Sequence, residues 1–370
     1  MKGKKKYLLY TTLKMKIDVL NFGMITPERF VEKINRNQPF VSWGLDNMEI
    51  ERWYEYSDFS PIHNACIRSK VDNSAGRGFT NDYKINQKQS LNDVVKQMYW
   101  EFIVGGNLFL EIIWKKNRAE GISGFHIIPS KYMRAKAPEN YELVSDTWLY
   151  CQDWMNWRKA GLIEFKEFDP NNYTDRQILC IKQYSPGYLF YGVPDYLSCM
   201  LDIRLSRSIS EFNLANISNG ASPSMFVHFP QEAPDSQNEQ EDILRRMEER
   251  YRGAQNAGRI IVSYGGEGGR PEITQITPTM QTGGYAEIFA LVRENIMAGH
   301  KIVDGSIVGL PNPSGFNSSA EQLETTYKLF MNTSVKPLQE FLIRELQPVV
   351  QLIHPDQEVK LDIIQNQILL

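Results

Sequence analysis

The side chains best suited to chemistry are scattered through this sequence. His63, His126, His228, His300 and His354 never fall four residues apart, and Cys66, Cys151, Cys180 and Cys199 form no C-x-x-C pair. A helical zinc site needs two imidazoles on one face, and a closed site needs paired thiolates, so the spacing supports neither. No G-x-x-x-x-G-K-[ST] is present to cradle phosphates with backbone amides, and no G-x-S-x-G to lift a serine onto a strained elbow. The glycine-rich GGEGGR (265–270) lacks the dinucleotide spacing, precedes no helix, and reads as a hairpin loop. Residues 231–252 hold seven acids and four arginines, which suits a solvated helix with i,i+4 ion pairs better than a pair of catalytic carboxylates. Trp43, Trp53, Tyr54 and Tyr56 lack the interleaved cations of a base-stacking surface and are expected in the core. No enzyme, cofactor or metal is therefore expected.

The elements that would position any site come from a chain of ordinary globular composition. Across 370 residues, 41 Lys and Arg against 44 Asp and Glu leave a charge of −3, with 23% charged and 42% hydrophobic residues. That length suggests two to three structural units, and the near-neutral balance argues against coating nucleic acid by bulk charge. Thinly spread cysteines suit a reducing compartment. The longest apolar stretch, 285–303, carries Arg293 and Glu294 at its middle, so no membrane span is expected. Lys2, Lys4, Lys5, Lys6, Lys14 and Lys16 make a basic N-terminal arm, and the apolar stretch behind the first lysines is too short for a signal peptide. A soluble protein made in the cytoplasm is the expectation.

The first half reads as an α+β block. Ser60-Pro61 starts a helix that Gly76 and Gly78 stop, and 91–104 makes an amphipathic helix ended by Gly105-Gly106. NLFLEIIW (107–114) and ISGFHII (122–128) alternate as a hairpin, with further strands at 147–151, 162–168 and 178–184. From Pro194 to Ser218 a single helix of roughly 37 Å is expected. Leu197, Leu201, Leu205, Ile209 and Phe212 mark one apolar stripe on it, and small polar residues cover the remaining faces. Strands at 224–229 and 258–264 flank a capped acidic helix at about 237–252, giving a strand–helix–strand module. A helix at 285–298 carries Ile288, Val292 and Ile296 on one face. A Gly/Pro loop at 303–317 follows, and then a helix capped by Ser318 and Glu321, interrupted at Pro337 and resuming to about Leu346.

This order of elements resembles the portal (head–tail connector) proteins of tailed bacteriophages and related prophages. The likeness is carried by WEFIVGGNLFLEII (100–113), YLFYGVPDYLSCML (188–201), NGASPSMFVHFP (219–230), RGAQNAGRIIVSYGG (252–266) and the passage from GLPNPSGFN to FL (309–342). The resemblance covers roughly residues 40–350. It implies an α+β subunit with a wing at 1–190, stem helices at 191–218 and 283–300, and a clip at 219–282 between them. A tunnel loop at 301–317 and wing or crown helices at 318–370 complete it. It also implies a ring, commonly of twelve subunits, at one capsid vertex of the virion, serving as the channel for packaging and ejecting double-stranded DNA. Implied partners are further copies of the chain, the packaging terminase, head–tail adaptors, and the major capsid and scaffolding proteins.

Three groups of residues acquire expected roles from this resemblance. Leu197, Leu201, Leu205, Ile209 and Phe212 would make the ring contacts of the stem. Glu239, Glu241, Asp242, Arg245, Glu248 and Glu249 would be the docking surface of the clip. Lys301, Asp304, Gly305, Ser306, Gly309, Pro311, Asn312, Gly315 and Asn317 would form the loop facing DNA. So few cations there predict weak, sequence-independent DNA contact. Two alternatives compete: a nucleotide-dependent enzyme on the first block, which would need a phosphate or nucleophile constellation, and a DNA-binding regulator. The latter would need a basic recognition helix, whereas 194–218 carries only Arg204 and Arg207 against Asp195, Asp202 and Glu211.

Overall fold

The capping box at Ser90 starts the helix around which the first half of the chain is built. The Ser90 side chain accepts from the backbone of the first turn, and its own amide donates to Asp93 Oδ2 at 2.8 Å. These bonds satisfy amides that the helix itself leaves open. The computed structural model describes residues 30–138, 145–172, 176–218, 224–229, 260–264, 272–276, 282–310 and 320–366.

In chain order, strands β1 (Glu32–Ile34) and β2 (Val41–Trp43) precede helices α1 (Glu49–Phe59), α2 (Pro61–Ala75) and α3 (Leu91–Gly105). Strands β3 (Asn107–Trp114), β4 (Ile122–Ile128), β5 (Met133–Ala135) and β6 (Thr147–Tyr150) lead to the short helix α4 (Trp157–Ala160). Strands β7 (Ile163–Glu167) and β8 (Gln177–Lys182) complete one sheet, ordered β4-β3-β8-β7-β6-β5 and antiparallel except where β7 meets β8. The hairpin and the three later strands lie where the alternating pattern put them, and the architecture is α+β as expected. Helix α1 was not foreseen, because its heptapeptide core WYEYSDF has weak helix formers and reads only as aromatic packing. Trp43 and Trp53 are indeed fully buried, edge-to-face at 5.4 Å, with Tyr191 stacked on Trp43 at 4.0 Å.

Four elements of the second half differ from the pattern. The segment from Pro194 is not one α-helix: Asp195–Cys199 is a 3₁₀ turn, and α5 spans Met200–Ser218. Strands β9 (Ser224–Phe229) and β10 (Ile260–Tyr264) are joined by a third, β11 (Glu272–Ile276), in the order β10-β9-β11. Helix α6 runs Thr282–Gly299, and a 3₁₀ turn at Gly305–Val308 follows it. Finally, α7 (Ala320–Phe330) does not break at Pro337. A π-helical turn, Met331–Val335, passes the chain into α8 (Lys336–Ile353) with Pro337 in its first turn, where a missing N–H costs least. Pro348 is tolerated inside α8, which runs beyond Leu346 to Ile353.

The core is shared between the two ends of the chain. Leu342, Leu346, Val349 and Val350 of α8 pack with α2, α3, β3 and β4, and Val359, Leu361 and Ile363 join them. Ile364 N–H donates to Gly78 O at 2.9 Å and Ile364 O accepts from Arg77 N at 2.8 Å, so the end of the described chain is stitched to the turn after α2.

Candidate functional site

Helix α5 has two faces of opposite fate. At about 100° per residue, Leu201, Leu205 and Phe212 of α5 fall within an arc of about 40°. Leu201 is 47% exposed, Leu205 41% and Phe212 43%, and Leu197 is half-buried. The buried face is instead Ile203, Ser206 and Ile209, continued upstream by Tyr196 and Cys199. Ile209 therefore leaves the expected stripe: a run of four-residue steps drifts around the helix, and by Ile209 it has turned inward, to 7% exposure. A groove of about 480 Å³ runs beside the stripe, between α1 and α5, lined by Phe30, Tyr56, Tyr188, Leu197, Leu201 and Arg204 among others.

The inward face packs on α6. Val292 and Ile296 meet Ile203 and Ile209 in one apolar cluster, and Asn295 Nδ2 donates to Asp202 Oδ1 at 3.0 Å. A Cβ on Gly299 would lie 2.4 Å from Cys199 Sγ, so the end of α6 can approach only as glycine. The Ser60 hydroxyl, at the N-cap of α2, pairs with the Ser206 hydroxyl at 3.0 Å instead of capping its own helix.

Where α6 ends, buried polar groups converge. His63 Nδ1 and His300 Nε2 are 2.8 Å apart, and the Tyr196 ring stacks on His300 with centroids 4.9 Å apart. Burial pushes the His63 pKa down to about 3. It also drives that of His300 well below the usual histidine range, with help from His63 and the Lys70 charge, so both imidazoles are neutral. Lys301 takes a left-handed backbone conformation at φ 59°, and its carbonyl accepts from Ser334 Oγ at 3.0 Å. The ammonium groups of Lys70 and Lys301 both lie 3.2 Å from Asp195 Oδ2. Burial alone would raise the Asp195 pKa, but the two lysines hold it below the ordinary carboxylate value.

Against the expected site residues, the structure brings together some and separates others. Lys301 faces Asp195 and Lys70. The start of the loop, expected to have a shifting backbone, is tied down: Asp304 Oδ1 accepts from Ser306 N at 2.8 Å, and Ile307 O accepts from Ser69 Oγ at 3.1 Å. Gly305 and Ser306 form the 3₁₀ turn, and Gly309 ends it at φ 77°. Pro311, Asn312, Gly315 and Asn317 lie outside the described residues. So do the acidic helix at 237–252 with Glu239, Glu241, Asp242, Arg245, Glu248 and Glu249, and the Ser318 cap. Sequence reasoning passed over Lys70, Asp195 and the histidine pair, since 237 residues separate His63 from His300 and no local pattern links them. Among the described residues no group of His, Cys, Asp and Glu is arranged to hold a metal ion.

Comparison with known proteins adds a family. The family model described as phage portal protein matches residues 81–358. A probable portal protein of Haemophilus phage HP1 (strain HP1c1) is 25% identical over 191 residues, 51% of this chain and 51% of its own length. The matched part thus spans about half the length of that curated relative. Among solved structures, the fold is similar to a chain from the virion of a native gene transfer agent particle, with a TM-score of 0.55 and 16% identity over 89% of this chain and 84% of that one. A chain from the neck of the native particle, computed with C12 symmetry, gives 0.54 and 17% over 86% and 84%. The HK97-family phage portal protein from Corynebacterium diphtheriae gives 0.51 and 10% over 84% and 94%. With the family model covering most of its length, the chain belongs to the phage portal protein family.

Proposed function

We propose that this chain is the subunit of a portal ring at one capsid vertex of a virion, through which double-stranded DNA is packaged and later ejected. The observation that carries this reading is the two-sidedness of α5: one face is buried on α6, while Leu201, Leu205 and Phe212 keep an apolar stripe exposed. A stripe that is offset from the buried face by over a quarter turn suits a heterologous contact between copies, the kind that closes rings. The neck likeness computed with C12 symmetry makes twelve copies the number to test. In this reading residues 1–190 with α8 are the wing, 191–218 and 283–300 the stem, 219–282 the clip and 301–317 the tunnel loop. The acidic clip helix would dock the terminase during packaging and head–tail adaptors afterwards, with capsid and scaffolding proteins around the wing. DNA would pass without sequence preference, and the subunit would be made in the host cytoplasm. Membrane insertion has no place in it, and among the described residues no helix is long and apolar enough to cross a bilayer. Light scattering with negative-stain imaging of the purified protein tests the proposal. A closed ring of uniform size is the expected result, and a monomer at high concentration overturns it.

A further inference from the structure

A cavity of about 450 Å³ lies between α2, α3, the turn after α6 and the π-turn before α8, and Lys70, Lys301, Arg344, Asp195 and Glu340 are the charged residues that line it. Lys70, only 5% exposed, and Lys301 share a single carboxylate oxygen, Asp195 Oδ2. Two ammonium groups on one carboxylate leave a surplus positive charge at the cavity wall. Of the other charged residues there, Arg344 is already bound to Glu345 at 2.9 Å, and Glu340 is exposed to solvent, as is the Lys301 side chain at 54%, so water weakens both of those charges while Lys70 stays buried. An ammonium has three N–H donors, and among the described residues the one hydrogen bond made by Lys70 goes to Asp195. Burial works against the charge on Lys70 and only Asp195 offsets it appreciably, while Lys301 adds to the repulsion. A buried ammonium in that position is stabilised by a further acceptor of negative charge.

The backbone around the cavity is shaped to create this surplus. Lys301 is one of two non-glycine residues with positive φ among those described, and its strained turn carries the second ammonium to Asp195. The π-turn abuts it, with Ser334 bonded to the Lys301 carbonyl and Thr333 on the cavity wall. Two uncommon backbone states, bonded to each other and facing one cavity, are the kind of strain that persists where it serves a site.

We propose that this cavity is a binding site for a phosphate-class oxyanion, held between the ammonium groups of Lys70 and Lys301. A tetrahedral oxyanion offers several acceptors at once, enough for the remaining N–H groups of both lysines, and Lys binds phosphate as a point charge. The same chemistry could arrive as free inorganic phosphate or as a phosphodiester of duplex DNA. The site stands on its own geometry, so it does not depend on the ring reading.

The experiment is calorimetric titration of the full chain with inorganic phosphate, at constant ionic strength in chloride, with melting temperature followed in parallel. Saturable binding is expected, weakened about tenfold or more in Lys301→Met, as loss of one charge-assisted hydrogen bond implies. Lys301→Arg, which keeps the cation, should retain binding, and Lys328→Met, an exposed lysine paired with Glu324, should match the wild type. A short labelled duplex of arbitrary sequence is then added. Competition with phosphate identifies a DNA phosphodiester as the ligand, and indifference identifies free phosphate. Phosphate that acts no differently from chloride, or binds Lys301→Met as well as wild type, overturns the proposal.

Discussion

Asn107 and Gly192 are hydrogen-bonded in both directions across 85 residues of sequence: Asn107 Nδ2 donates to Gly192 O at 2.9 Å, and Gly192 N donates to Asn107 Oδ1 at 2.8 Å. The same Nδ2 also donates to Gly105 O at 2.7 Å. A Cβ on Gly192 would lie 2.2 Å from Gly106 O, and one on Gly106, at φ 68°, would lie 2.6 Å from the Val193 backbone. The glycine–asparagine passage at the start of β3 and the Tyr-Gly-x-Pro passage before α5 are therefore two halves of one joint, which fixes the entry to α5 to the sheet.

This joint makes the first prediction. Asn107 is fully buried, so Asn107→Ala strands the Gly192 amide and should lower stability by about 2–4 kcal/mol. Gly192→Ala should be worse, since backbone must move to admit the methyl. Thermal denaturation of both variants beside the wild type checks the order.

The approach of α6 to Cys199 gives the second. Gly299→Ala should cost about 1–3 kcal/mol through overpacking against the Cys199 side chain. Shortening that side chain should recover part of the loss, so Gly299→Ala with Cys199→Gly should be less destabilised than the two single changes added together. A double-mutant cycle in chemical denaturation measures the coupling.

Acid should loosen the turn after α6. His63 has its pKa lowered to about 3 in the folded protein against about 6.5 when unfolded. The unfolded chain therefore binds the extra proton first. Stability is full above pH 6.5 and falls as pH drops toward 3, at up to about 1.4 kcal/mol per pH unit for one such histidine. His300 acts in the same direction. Asp195, with its pKa below 3.8, contributes only at lower pH, which separates it from the histidines. Melting temperature between pH 7 and pH 4.5 should vary less in a His63→Gln, His300→Gln variant than in wild type.

Two substitutions on α5 distinguish assembly from folding. Leu205→Asp sits on the exposed stripe and should leave folded, soluble subunits that fail to assemble, read as a drop in molar mass with unchanged circular dichroism. Ile209→Asp buries a carboxylate against Val292 and Ile296 and should instead destabilise the subunit itself by several kcal/mol. If the five-residue stripe were a single surface, the two variants would instead behave alike.

Local physics determined much of this protein from sequence alone. The β3–β4 hairpin, the helix stopped by Gly76 and the amphipathic helix ended by Gly105-Gly106 depend on alternation, periodicity and glycines within a few residues, and they lie where those signals put them. The π-turn before Pro337 and the short helix α1 are also local, but they follow weak propensities that tertiary packing overrides. What only the folded chain decided is which face of α5 is inside. Apolar residues stand on both faces, Leu201, Leu205 and Phe212 outside and Ile203 and Ile209 inside, and the buried face also takes in Ser206, which reads as polar until α2 and α6 are set against it. The His63–His300 pair and the two lysines on Asp195 arise the same way. Contacts across 125 and 237 residues leave no periodicity in the chain, because their energy comes from desolvation and charge that exist only once the elements have packed.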